Sequence, residues 1–187
     1  MRKILITAAL MAAAMMMMTG CKSQPSKDTA ATQETTVVKT VNLEDIHMAV
    51  KDAYGENYIP NFAYEEQMME DLFGLKKDLY DSYIGEGPMI SVHVDNFVAV
   101  KAKEGKGEEV QKVLEQYRES LVTDAMQYPV NLPKIQSSEI VRYGDYVFFV
   151  MLGTPTPEAE AKGEKAALES AKENNQIAMK AIAGFFQ

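Results

Sequence analysis

Apolar positions change their spacing several times along the chain, and each change marks an element. Residues 4–18 are apolar apart from Thr7. Residues 22–40 are rich in Ser, Thr, Gln, Lys and Ala, with almost no large apolar side chain before Val37. Leu43, Ile46, Val50 and Ala53 then recur at the helical period behind Asn42, a residue suited to an N-cap, and Gly55 stops the run. Tyr58-Ile59-Pro60 reads as a connector. Met68, Met69, Leu72, Leu75, Leu79 and Tyr83 extend a second helical pattern over 64–83, with Gly74 inside it as a break or kink. Gly85-Glu86-Gly87-Pro88 reads as a turn.

Beyond Pro88 the period falls to two. Ile90, Val92 and Val94 alternate with Ser91, His93 and Asp95, and Val98, Val100 and Ala102 alternate with Ala99, Lys101 and Lys103. This predicts a hairpin. A three-residue loop over 94–96 pairs Val92 with Val98 and Ile90 with Val100 and keeps one face apolar, which a two-residue loop does not. A turn at Glu104-Gly105-Lys106-Gly107 leads into an amphipathic helix over 108–127, striped by Val110, Val113, Leu114, Tyr117, Leu121 and Ala125 and closed by Pro129 and Pro133. Residues 138–143 and 146–152 form a second hairpin, with Gly144 at the first turn position and Tyr143 opposite Tyr146. Phe148 and Phe149 point to opposite faces, so that strand is central or covered on both sides. Thr156 caps a last helix with Pro157 at its first position, and Leu168, Ala171, Ala178, Ile182 and Phe185 share one side. The expected fold is α+β: a two-layer sandwich in which helices cover one face of a four-stranded antiparallel sheet made of two hairpins.

The first forty residues are an address and a spacer. Arg2 and Lys3 precede a 15-residue apolar run, short for a membrane span and suited to a signal-peptide core. The run ends Met18-Thr19-Gly20-Cys21, which resembles a lipobox, with Met18 in place of the usual leucine. That resemblance implies cleavage between Gly20 and Cys21 and a diacylglyceryl thioether on Cys21, whose acyl chains suffice for stable anchoring. The expected organisation is a lipoprotein signal peptide over 1–20, a flexible tether over 21–40 and one domain over 41–187. Six of the 13 methionines lie in the leader, so a Met-rich copper site is not indicated.

The strands and turns also resemble a family of uncharacterised lipoproteins of Gram-positive bacteria, known as a domain of unknown function. The likeness rests on residues 94–105 running into Glu108-Glu109-Val110, and on Tyr143-Gly144-Asp145-Tyr146-Val147, and extends from Ile90 to the C-terminus. It implies location but no chemistry.

Charge and composition narrow the function. The 187 residues carry 27 acidic and 19 basic side chains, a net charge of −8, with no basic footprint for nucleic acid. Loss of Arg2 and Lys3 with the leader leaves 17 basic side chains and a net −10. One cysteine makes neither an internal disulfide nor a cysteine zinc site. Of the two histidines, His47 sits on a helix and His93 beside Asp95 on the expected outer face of a strand, a metal pair without a third ligand. Gly105-Lys106-Gly107 could cradle a phosphate, but a turn before a helix explains it. Glu65-Glu66, Glu70-Asp71 and Glu108-Glu109 belong on exposed faces and in first turns. Tyr54, Tyr58, Phe62 and Tyr64 cluster around Pro60 and either line a binding cleft or interface or pack the core. The expectation is a non-enzymatic, cofactor-free module. The lipidated Cys21 attaches it to the outer face of the cell membrane, where it binds an envelope protein or a small molecule. A passive spacer or an unrecognised envelope enzyme using His93, Asp95 and tyrosines are the alternatives.

Overall fold

The computed structural model describes residues 40–187 apart from Ser91 and Ala125. The leader, Gly20, Cys21 and nearly all of the tether lie outside the described residues.

The chain forms α1 (Leu43–Tyr54), β1 (Phe62–Ala63), α2 (Glu66–Phe73), β2 (Tyr80–Gly87), β3 (Asn96–Ala102), α3 (Gly107–Thr123), α4 (Leu132–Ser137), β4 (Glu139–Tyr143), β5 (Tyr146–Met151), α5 (Pro157–Ala161) and α6 (Glu164–Ala183). The five strands form one antiparallel sheet in the order β1-β2-β3-β5-β4. The expected antiparallel sheet packed by helices is present, but it has five strands rather than four, and helices cover both faces rather than one.

The difference begins at Gly74. This residue sits at φ 75, and its N–H bonds back to Glu70 O, so α2 ends there instead of running to residue 83. A residue with a Cβ is strained in that conformation. Leu79 and Tyr83 match the helical period, yet after the reversal Tyr80–Gly87 is extended and pairs with β3, Gly85 opposite Val98 and Tyr83 opposite Val100. Residues 88–95 therefore connect two strands and do not form one. The hairpin pairing of Val92 with Val98 and Ile90 with Val100 is not made. Two boundaries also shift. The predicted helix over 108–127 stops at Thr123 and is followed by α4, and the last helix is split at Gly163 into α5 and α6.

The second hairpin forms as the spacing predicts, with Tyr143 opposite Tyr146 and Gly144 at φ 61. The N-caps also form: Asn42 Oδ1 accepts from Glu44 N at 3.0 Å and Thr156 Oγ1 from Ala159 N at 3.2 Å.

The strand pair β3–β5 carries both cores. Val98, Val100, Val147 and Phe149 point to one face, where Met69 and Phe73 of α2, Val110 and Leu114 of α3, and Ile135 of α4 cover them. Phe97, Ala99, Phe148 and Val150 point to the other, under Ile46 and Val50 of α1 and Ala178 and Ile182 of α6. The opposite-face placement of Phe148 and Phe149 is as expected.

Two side-chain changes test this packing. A Cβ on Gly107 would lie 2.3 Å from Gly144 O, a backbone atom that cannot swing away. Gly107→Ala should cost about 1–3 kcal/mol in denaturant unfolding. The Tyr80 hydroxyl is buried and, among the described residues, has no hydrogen-bond partner. Tyr80→Phe should therefore raise stability by about 1 kcal/mol, read as a melting temperature about 2–4 °C higher.

Candidate functional site

The polar side chains buried in the domain gather at one end of the sheet. β3 starts there at Asn96, opposite Met151, where β5 ends. Asp95 is 1% exposed, and both its carboxylate oxygens accept from Lys134 Nζ of α4, at 2.8 and 2.7 Å. Lys134 is itself buried. His93 Nδ1 lies 3.9 Å from the same carboxylate, on a half-exposed ring. The two residues thus approach each other as the sequence predicts, but not on a solvated strand face. The Asp95 carboxylate is spent on a lysine that sequence spacing could not reveal. On α6, fully buried Asn175 accepts from Leu152 N at 3.0 Å and donates to Ser137 O at 3.2 Å, completing the backbone where β5 and α4 end.

Two loops rise from this polar end. One, residues 88–95, joins β2 to β3, and the other, residues 124–131, joins α3 to α4. Asn131 Nδ2 donates to Val92 O at 3.1 Å, so the loops touch. Met89 N donates to Asn61 Oδ1 at 3.0 Å, which brings β1 alongside. Most of the domain's exposed large apolar side chains are here: Met89, Ile90 and Val92 on the first loop, and Met126, Tyr128, Val130 and Leu132 on or just after the second. Their exposure runs from 36% at Leu132 to 88% at Met126. Phe62, 39% exposed on β1, adjoins them through Asn61. Sequence reasoning missed this surface, although a signal was present. Residues 87–94 and 125–133 contain no Asp, Glu, Lys or Arg in a chain that is 25% charged.

The four aromatics singled out around Pro60 are divided. Tyr54 is buried on the α1 side, its hydroxyl donating to Asn174 O at 2.7 Å. Tyr58 lies next to it edge-on, at 6.4 Å between ring centroids. Tyr64 turns to the opposite face, where its hydroxyl donates to Asn96 Oδ1 and its ring packs on Phe73. Phe62 alone of the four is exposed and belongs to the apolar end.

Tyr58 also joins a polar group the sequence did not reveal. Its hydroxyl donates to Glu86 Oε2 at 3.1 Å, His47 Nε2 lies 3.0 Å from the same oxygen, and Lys51 Nζ lies 3.7 Å away. His47 stacks on Phe97 with 5.3 Å between centroids. One carboxylate oxygen thus draws three groups and fastens α1 to β2. Burial first, then the Glu86 charge, push the Tyr58 phenol well above its ordinary pKa. Burial alone pushes Tyr64 up to about 12.

At the far end of the sheet the Gly105-Lys106-Gly107 turn is already filled. Gly105 N and Gly107 N donate to the two Asp145 carboxylate oxygens, each at 3.1 Å. The chain's own anion occupies the cradle that a phosphate would need. Glu65, Glu66, Glu70, Asp71, Glu108 and Glu109 are exposed. Among the described residues, no three His, Cys, Asp or Glu side chains gather to hold a metal ion, and no helix is long and apolar enough to cross a membrane.

These features define a mixed domain with an antiparallel sheet packed by helices on both faces and a group of exposed apolar side chains at one end. Residues 53–152, more than half of the chain, match the family described as Domain of unknown function (DUF4358), and the chain belongs to that family. The match takes in β1, α2 and β2, which lay outside the sequence likeness from Ile90 onward, and stops at Leu152 short of α5 and α6. No curated protein and no solved structure matches the chain.

Two predictions follow from this geometry. Asp95→Asn removes one charge of a buried pair and strands the other, which should cost about 3–5 kcal/mol, whereas Asp95→Leu with Lys134→Met should recover most of the loss. Urea unfolding of the three variants checks both. Burial raises the phenol pKa of Tyr54, Tyr58, Tyr64 and Tyr117. Because an unfolded tyrosine ionises near pH 10, folding stability is full below about pH 10 and falls as pH rises beyond it. Phenolate absorbance of these residues should appear only with alkaline unfolding.

Proposed function

We propose that the mature chain is a lipid-anchored binding module on the outer face of the cell membrane. Cys21 carries the lipid, residues 22–40 form the tether, and the apolar end of the domain is the binding surface. The observation that carries the binding reading is the pair of touching loops, whose exposed side chains come from the stretches 87–94 and 125–133 that hold no Asp, Glu, Lys or Arg. Exposed apolar side chains scattered singly are ordinary, but a contiguous group of them marks an interaction site. Methionine and tyrosine among its exposed side chains match the composition of interface cores. The anchoring reading rests on the 15-residue apolar leader and on the single cysteine standing where a lipobox requires it.

A passive spacer needs no apolar end, and such an end is a liability in a protein that binds nothing. An envelope enzyme built on His93 and Asp95 needs the carboxylate bonded to the imidazole, whereas Asp95 Oδ2 lies 3.9 Å from His93 Nδ1 and accepts from Lys134 Nζ at 2.7 Å. Binding is therefore the reading the geometry favours.

Full-length chain expressed in a lipoprotein-processing bacterium should incorporate radiolabelled palmitate and sediment with membranes. Cys21→Ala should lose the label and move to the soluble fraction. An unchanged distribution in that variant would remove the lipid anchor from this reading. Val92→Asp with Val130→Asp should change the unfolding free energy of residues 41–187 by no more than about 0.5 kcal/mol each. A loss of several kcal/mol would make the loops part of the folding core instead.

A further inference from the structure

Direction distinguishes what the apolar end meets. The tether enters the domain at Val41, whose N–H donates to the Tyr146 hydroxyl at 3.1 Å. Tyr146 pairs with Lys101, at the opposite end of β3 and β5 from Asn96 and Met151. Five residues of strand separate these ends, about 17 Å at roughly 3.3 Å per residue, with the loops beyond. On the reading that Cys21 is lipidated, the chain from the anchor joins the domain at the end of the sheet opposite the apolar loops.

Charge points the same way. Lipid-seeking segments add basic side chains, each worth about 1 kcal/mol near anionic headgroups. Neither loop has a Lys or Arg, and Asp124 is exposed at the base of the second. The mature chain, at −10, is repelled by an anionic surface and by a second copy of itself. The loops are also held in place from below, because Asp95 at the root of one is bonded twice to Lys134 in the helix that follows the other. A preorganised apolar surface suits a protein partner, since little ordering entropy is lost on docking.

We infer that the 88–95 and 124–131 loops dock onto a second envelope protein, facing away from the anchoring membrane, through an apolar, uncharged patch on that partner. The contact is apolar at its centre, so its affinity should depend little on salt.

The test is site-specific photo-cross-linking of the full-length chain in living cells. A benzophenone amino acid replaces Tyr128, and as a control Glu160, exposed on α5. Position 128 should give one discrete protein adduct and position 160 none. Val92→Asp or Val130→Asp should lower the adduct yield at least tenfold while leaving the melting temperature unchanged. The partner so identified, once purified, should bind residues 41–187 with affinity that changes less than about threefold between 50 and 300 mM salt. Residues 41–187 should not float with vesicles of phosphatidylglycerol and phosphatidylethanolamine. Adducts only with the chain itself would replace the partner by a second copy. Flotation lost on Val130→Asp would replace it by the bilayer. No adduct at position 128, or one insensitive to the loop substitutions, would overturn the proposal. A Cys21→Ala chain that stays on membranes and keeps the adduct would overturn the lipid anchor while leaving the docking surface standing.

Discussion

The domain depends on a pair of strands that no water reaches. β3 and β5 are buried along almost their whole length, and each sends alternate residues into a different core. Such a pair must be apolar on both faces, and its backbone groups must find partners within the protein. Along the ladder the neighbours β2 and β4 supply them. At the strand ends the ladder stops, and side chains take over. At one end Asp145 receives two N–H groups of the turn into α3 and the Asp145 carbonyl accepts from Ala102 N. At the other, Asn175 receives Leu152 N and Asn96 Nδ2 donates to Val94 O. The concentration of buried polar residues at that second end follows from this requirement, since three segments finish there together.

The same requirement explains which parts of the fold were legible in the sequence. Elements with one solvated face announced themselves: α1 and the start of α3 appear close to where the period puts them, and the β4–β5 hairpin was marked by its turn residues. Phe148 next to Phe149 signalled a strand covered on both sides, and taken at full weight that signal demands a second helical layer. β2 was hidden because Leu79 and Tyr83 lie at helical spacing from Met68, Met69, Leu72 and Leu75. Only the positive φ of Gly74 decides that the helix ends, and glycine in a helical pattern is compatible with either outcome. Losing β2 forced its place beside β3 onto residues 90–94, whose alternation of Ile, Val and His is that of a strand. Their tertiary environment is instead an exposed loop, because β2 had already taken the edge of β3.

The candidate surface was obscured by the same error. Once residues 90–94 are assigned to a strand, their apolar side chains look like core, and the parallel stretch at 125–133 looks like the frayed end of a helix. The informative feature was the absence of charge, which neither period nor turn chemistry measures. The ion pair of Asp95 with Lys134 is legible only in three dimensions, since 39 residues separate its partners.

That pair ties the root of one apolar loop to the helix that follows the other. A buried salt bridge adds little net stability, and apolar side chains of similar size commonly do as well or better. Its contribution here is positional. The Asp95 carboxylate has one buried ammonium within reach, bonded at 2.7 and 2.8 Å, so the root of the first loop has a single register on α4. Apolar side chains at the two positions would tolerate several registers, because dispersion contacts are not directional. Loops free to slide would turn Ile90, Val92 and Val130 inward against each other and hide the surface. A directional bond beneath them, with Asn131 to Val92 O above it, ties the two loops together while these side chains face outward.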